Sequence, residues 1–247
     1  MQNYSVTVVI PFFNGNKYIN ETLDSIFKNQ YIQKVIICVD KDSDRPKLNL
    51  ANEKITILQN DTVSRGPGIV RALGFNAADT KYVAFIDSDD LWGEGKIKKH
   101  VDFMLSKNLG FSFHNYWNIK NGKKTKEIKQ KGPYTLDGFL KKKFTIGCLT
   151  VMIDKEMIRK IPGNSLTKRN DYFMWFELIN FMDKNRILWG GFDMNEAFHR
   201  LHKDSLTHSR IDSAFHYYKF LKHCQLSITK RIECFFFYAL NSFRNRQ

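Results

Sequence analysis

The sequence predicts an α/β fold built on a mainly parallel sheet with flanking helices. Two observations point to it. Apolar, strand-like runs alternate with segments of helical periodicity through the N-terminal third, and one such run leads directly into a cluster of carboxylates. Near-continuous apolar runs belong to strands covered on both faces, as parallel strands are, and strand–helix alternation implies right-handed crossovers.

Val6-Thr7-Val8-Val9-Ile10 is the first strand, and Pro11 and Asn14-Gly15 break it. From Lys17 to Asn29 the apolar residues Ile19, Leu23, Ile26 and Phe27 recur at helical spacing. Val35 to Val39 forms a second strand ending at Asp40, and Ile55 to Leu58 a third. Ile69, Ala72, Leu73 and Asn76 mark a short helix opened by Ser64-Arg65-Gly66-Pro67-Gly68. Tyr82 to Ile86 is the fourth strand and runs into Asp87-Ser88-Asp89-Asp90. Further on, Phe111 to Tyr116 reads as a strand, Asn121-Gly122 as a hairpin turn, Tyr172 to Met182 as a helix, and Glu196 to Leu201 alternates like a strand.

Carboxylates at a strand's C-terminal tip sit where open α/β sheets bind ligands. Three of them in four residues repel one another unless a cation compensates. Such hard oxygen ligands suit Mg²⁺ or Mn²⁺, and these in turn suit a diphosphate. Taken alone, the same residues also read as a solvated acidic turn.

The resemblance to a known family rests on several segments in order. They are Val8-Val9-Ile10-Pro11-Phe12-Phe13-Asn14, Val39-Asp40 with Ser43, Arg71, Asp87-Ser88-Asp89-Asp90 with Trp92, Asn170-Asp171-Tyr172-Phe173-Met174-Trp175, and Phe198-His199-Arg200 with Ser205. Together these resemble family 2 glycosyltransferases, inverting enzymes of GT-A fold, over nearly the whole chain. The resemblance implies a nucleotide-diphospho-sugar donor held by Pro11, Phe13, Asn14, Asp40, Asp42, Arg71, Asp87, Ser88, Asp89, His199 and Arg200. It also implies a Mg²⁺ or Mn²⁺ cofactor on Asp89 with Asp87 and Asp90, and Asp171 as catalytic base. Two positions depart from the pattern: Lys41 replaces one carboxylate after the second strand, and Asn170 stands where a glutamate is usual.

At 247 residues, 43% hydrophobic and 26% charged, the chain can bury a large core and is not disordered. No N-terminal stretch has signal-peptide form and no apolar run is long enough to span a membrane. The four cysteines lack Cys-x-x-Cys spacing and read as reduced thiols. The net charge of +14 calls for an anionic partner. Its clusters are Lys120, Lys123, Lys124, Lys126, Lys129 and Lys131 about the hairpin, Lys141 to Lys143, and Lys219, Lys222, Lys230, Arg231, Arg244 and Arg246 in the tail. In the tail Ile228, Ile232, Phe235, Phe236, Ala239, Leu240 and Phe243 fall on one helical face. Such a helix either packs on the domain or lies on an anionic membrane surface.

The expected organisation is a nucleotide-sugar half over 1–92, an acceptor half over 93–204 and an amphipathic helical tail over 205–247. The expected activity is transfer of a sugar to a glycan or glycolipid acceptor of the cell surface, by an enzyme peripheral on the cytoplasmic membrane face, with no nucleic-acid partner. Two other classes compete. A sugar nucleotidyltransferase would need a Gly-rich loop after the first strand, where Pro11-Phe12-Phe13-Asn14-Gly15 stands. A non-catalytic basic binding module accounts for the charge but not for the carboxylates.

Overall fold

The computed structural model describes residues 4–166, 168–202 and 210–244. Ser205 and Arg246 lie outside them, and of Phe243 and Arg244 only the backbone is described.

Seven strands form the main sheet. In chain order they are β1 (Val6–Phe12), β2 (Ile32–Val39), β3 (Ile55–Gln59), β4 (Tyr82–Phe85), β6 (Phe111–His114), β9 (Met152–Asp154) and β10 (Trp189–Phe192). Their spatial order is β10-β6-β9-β4-β1-β2-β3. The block β3-β2-β1-β4 is parallel throughout, and β9 enters antiparallel to both β4 and β6. A second sheet, in spatial order β5-β11-β7-β8, combines β5 (Leu91–Trp92), β11 (Ala197–Arg200), β7 (Tyr116–Lys120) and β8 (Lys123–Ile128).

Side chains alternate across a strand, so the buried β1 feeds two cores. Val8 and Ile10 pack with Ile19, Leu23 and Ile26 of α1 (Ile19–Phe27) and Ile97 and Val101 of α3 (Lys96–Lys107). Val9 packs on the other face with Val70 and Phe75 of α2 (Pro67–Ala77) and Trp175 of α5 (Asn170–Asn185). The main sheet therefore crosses position 92: β6, β9 and β10 extend the strands of the first 92 residues.

Pro11 does not end the first strand, contrary to expectation. Pairing of β1 with β4 stops at Val9–Phe85, while pairing with β2 continues through Pro11–Cys38 to Phe12–Val39. Proline is tolerated where a strand has a neighbour on one side only.

The tail is two helices, α6 (Arg210–His223) and α7 (Ile228–Arg244), beside the short α4 (Leu136–Leu140). On α7, Cys234 is buried, Tyr238 stacks on Tyr217 with ring centroids 4.3 Å apart, and Phe235 packs against Tyr218 and Tyr238. Lys230 is paired with Asp137 and Glu233. The face expected to be single is therefore split. Phe235 belongs to the packed side, whereas Ile228, Ile232, Phe236 and Leu240, spaced four apart, remain exposed. Among the described residues no helix is long and apolar enough to cross a membrane.

Candidate active site

Three loops meet at the C-terminal edge of β1, β2 and β4. The loop after β1 is tied to that after β2 by asparagines, whose amides satisfy loop backbone as a strand would. Asn14 donates its backbone N–H to Ser43 Oγ (3.0 Å) and accepts from the Asp44 N–H (2.9 Å). Asn16 and Asn20 accept from Lys47 and Asn49 in the same way. Gly15 is required here, since a Cβ would come within 2.5 Å of Ser88 Oγ. Thr22 Oγ1 lies within 3.0 Å of the carbonyls of both Ser88 and Asp90, holding the acidic turn from beneath. Pro11 is buried and Phe13 is 59% exposed at the rim.

Asp40 is buried and fully engaged. One oxygen accepts from Lys41 N–H and Asn60, the other from Gly66 N–H at 2.7 Å. It thereby holds the loop that opens α2. Asp42 is exposed and faces Arg65 at 3.5 Å.

Each of the three clustered carboxylates has a nitrogen partner from the protein. Asp87 forms a close ion pair with buried Arg71. Asp89 Oδ2 lies 2.8 Å from His202 Nε2. Asp90, 1% exposed, accepts from His199 Nδ1 (3.1 Å) and the Arg200 N–H (2.9 Å). The compensation expected of a cation is thus supplied in part by side chains. Arg200 donates to the Asp89 carbonyl (2.8 Å) and Glu21 (2.8 Å), and its guanidinium lies over the Tyr18 ring. His199 and Arg200, expected to bind donor phosphate, are therefore both engaged in holding the acidic turn.

Burial pushes Asp90 up to about 6, against the charge and hydrogen bond of His199. Burial would lower His199, but the Asp90 charge and hydrogen bond carry it up to about 9. A raised folded-state value means the folded protein keeps a proton the unfolded chain releases near 6.5. The stability this provides is complete below about 6.5 and lost as pH rises towards about 9. Melting curves of metal-free protein should fall over that window, and His199→Gln should flatten the fall; an unchanged slope would refute this assignment.

Asp171 lies in the first turn of α5, where the helix dipole favours a carboxylate. The helix start is fixed from two sides: Arg71 donates to Asn170 Oδ1 (2.7 Å) and Asn164 to the Asn170 carbonyl (2.9 Å). A single buried guanidinium thus joins Asp87 to the residue preceding Asp171. Asn170, where the family pattern has glutamate, serves as the neutral acceptor in this contact. Burial and then the Asp87 charge dominate at Arg71, with Asp171 also favouring its cationic form. Arg71 was expected at the donor diphosphate; both its terminal nitrogens are instead committed to Asp87 and Asn170.

Sequence reading missed the surroundings of Asp171. Arg169 precedes Asp171 by two residues, whereas Lys142 and Tyr116, whose charges Asp171 influences, come from separate segments that only the fold brings there. Burial, and then the charge of the neighbouring Tyr172, push the Tyr116 phenol up, with Asp171 adding to this. The cysteines are free and buried, and burial pushes Cys38 up to about 12 and Cys148 well above its ordinary value, so neither is a nucleophile.

Among the described residues no three candidate ligands converge as a complete metal cage. Asp87 and Asp89, with side chains 34% and 30% exposed, nevertheless fit Mg²⁺ or Mn²⁺. These ions are bound through one or two carboxylates plus substrate phosphates and water.

The model of "Glycosyl transferase family 2" matches residues 7–172. The chain is 31% identical to "Putative teichuronic acid biosynthesis glycosyltransferase TuaG" of Bacillus subtilis, over 98% of this chain and 97% of that protein. It is 27% identical to the Escherichia coli "UDP-Glc:alpha-D-GlcNAc-diphosphoundecaprenol beta-1,3-glucosyltransferase WfgD", over 72% and 71%. Among solved structures it resembles S. aureus TarS 1-349, with TM-score 0.62 and 18% identity over 94% of this chain and 69% of that one. It also resembles the mannosyltransferase PcManGT of Pyrobaculum calidifontis in complex with GDP-Man and Mn²⁺, with TM-score 0.60 and 12% identity over 95% and 68%. These likenesses bear out the GT-A fold. A strand-end acidic turn, a helix that begins at Asn170-Asp171 and a family match across both halves give one answer: the chain belongs to glycosyl transferase family 2 and is a glycosyltransferase.

Proposed function

We propose that this glycosyltransferase moves a sugar, with inversion, from a nucleotide-diphospho-sugar to a hydroxyl of a growing cell-surface glycan. The observation that carries this reading is Arg71, which couples the strand-end carboxylate Asp87 to the start of the helix bearing Asp171. A donor site and a base are thereby held at a fixed separation, as displacement at a sugar carbon requires. The TarS structures with UDP-GlcNAc and UDP, and that of PcManGT with GDP-Man, support a nucleotide-sugar donor. The names of TuaG and WfgD support a surface-glycan acceptor, linked to a lipid in the case of WfgD.

In this reading Asp171 removes the proton of the acceptor hydroxyl as its oxygen forms the new bond to the anomeric carbon. The bond from that carbon to the diphosphate oxygen breaks on the opposite face, which inverts the centre. Mg²⁺ or Mn²⁺, when bound, neutralises charge developing on the diphosphate. Asp89 would hold it, with Asp87 beside it. Asp90 is a positioning residue: buried under His199 and the Arg200 amide, it fixes the turn that presents Asp89. Pro11, Phe13, Asn14, Asp42 and Ser88 border the nucleotide, and Asp40 shapes its loop. The test is release of nucleoside diphosphate from a panel of UDP- and GDP-sugars with Mn²⁺. Stabilisation by no donor nucleotide, with no turnover, would refute the reading.

The exposed stripe Ile228, Ile232, Phe236 and Leu240 is the part of the tail suited to an anionic membrane surface, at the cytoplasmic face where nucleotide sugars occur. Phe236→Ser should release the protein from anionic vesicles at unchanged melting temperature. Phe235→Ser should instead lower the melting temperature, with a loss of up to about 3 kcal/mol of stability, because that ring is packed. Vesicle sedimentation and melting curves check both; retention of the Phe236 variant on vesicles would dismiss the membrane role.

A further inference from the structure

Tyr116 adjoins both the acidic turn and Asp171, and no step above uses it. The chain leaves the main sheet at His114 and enters the second sheet at Tyr116. Asn115, at that junction, is buried and held on two sides. Its amide donates to Asp193 (2.6 Å), and its oxygen accepts from the Gln130 N–H (2.7 Å). His199 is the neighbour of Asn118 across β11 and β7, and residues two apart on a strand share a face. Tyr116 therefore lies on the face of His199 that is turned to Asp90. The two rings meet edge-on, with centroids 6.3 Å apart.

The Tyr116 ring also lies against Gly147, where a Cβ would come within 3.0 Å of Tyr116 Cε1. Cys148 follows directly. Burial dominates at its thiol, and the charges of Arg71, Asp87, Asp171 and Asp90 come next. The Gly147-Cys148 segment thus borders both the donor edge and the candidate base, and Tyr116 stands on it. Burial, then Tyr172, Asp90 and Asp171, push the phenol well above the ordinary tyrosine range, so it is a neutral O–H donor. Other donors about the acidic turn are committed. Arg71 holds Asp87 and Asn170, His199 holds Asp90, and Arg200 holds the Asp89 carbonyl and Glu21. Among the described residues, the Tyr116 hydroxyl and the Asp171 carboxylate make no hydrogen bond to the protein. Both residues are half-buried.

Inversion requires the transferred sugar to lie between the diphosphate at the acidic turn and the base, with its anomeric carbon in line with both. A free hydroxyl near both places faces that sugar rather than the nucleotide. We propose that Tyr116 is a specificity-determining residue whose hydroxyl donates a hydrogen bond to an oxygen of the transferred sugar, either a ring hydroxyl or an acyl carbonyl. This rests on the reading of the acidic turn as the diphosphate site and of Asp171 as the base. A sugar without that oxygen, or with it in the other configuration, leaves the half-buried phenol unpaired and is selected against.

The test is Tyr116→Phe in the full chain, which keeps the ring against His199 and Gly147 and removes only the hydroxyl. UDP-glucose, UDP-galactose, UDP-N-acetylglucosamine and GDP-mannose are compared with UDP and GDP, all with Mn²⁺. Calorimetry reads binding, and release of nucleoside diphosphate reads turnover. The variant should lose about tenfold in kcat/KM for the donor that the wild type prefers, and the spread among donors should narrow. Affinity for free UDP or GDP should stay within about twofold, with an unchanged melting temperature and an unchanged pH profile of kcat. Unaltered discrimination among the donors overturns the proposal. So does a matched loss of affinity for the free nucleotide, which would place Tyr116 at the nucleotide. A shifted pH profile overturns it as well, since Tyr116 would then act through Asp171. Asp171→Asn is measured in parallel: full turnover there, with discrimination lost in Tyr116→Phe, refutes the base and leaves the sugar contact standing.

Discussion

Asp89→Asn is expected to abolish sugar transfer and metal-dependent nucleotide binding while leaving the fold intact. The substitution keeps the shape and the acceptor for His202 Nε2, so the contact that holds the turn survives. What is lost is the negative oxygen that would hold the metal against the developing diphosphate charge. Metal stabilisation of such charge contributes several kcal/mol, so the rate should fall by about three decades or more. The melting temperature should hold or rise, because one of three adjacent like charges has been removed. Excess chelator should reproduce the loss in the wild type. Transfer at a normal rate in the variant, or in chelator, would remove metal from the mechanism.

Asp171→Asn is expected to lower kcat by about 10²–10⁴-fold with donor affinity nearly unchanged, since proton removal is felt in the transition state. That range corresponds to about 2.7–5.4 kcal/mol of barrier. The amide retains the helix-start geometry set by Arg71 and Asn164, so a folding defect should not accompany it. Steady-state kinetics with varied donor separate the outcomes. A loss confined to donor KM would move Asp171 from base to nucleotide contact.

The parts of the fold that local pattern controls were legible in the sequence. Apolar runs located β1 to β4, helical periodicity located α1, α2 and α5, and Asn121-Gly122 located the β7–β8 turn. Partnership across the chain was not legible. Nothing in the residues near Met152 announces a strand that enters the main sheet, and Pro11 reads as a terminator until its one-sided pairing is known. The carboxylate cluster was legible as a strand-end motif, but the side chains it pairs with were not. Arg71, His199 and Arg200 read as phosphate ligands because nothing local announces their partners: Asn170 for Arg71, Asp90 for His199 and the Asp89 carbonyl for Arg200 lie far away in the chain. On α7 the heptad-like pattern showed one broad apolar face. Only the packing of α6 shows that Phe235 and Phe236, adjacent in sequence, belong to different surroundings.

The antiparallel strand β9 has a consequence for the order in which the molecule can be made. It fills the gap between β4 and β6, yet Met152–Asp154 is synthesised long after Tyr82–Phe85. Until it arrives, one flank of β4 offers bare amide and carbonyl groups on an apolar strand, the kind of edge that recruits other chains. Long-range closure of this sort is slow. A nascent chain released or cleaved before residue 152 would carry the loops after β1 and β2 and the acidic turn, but with a sheet open in its middle. Such a fragment is a template for aggregation rather than a half-enzyme.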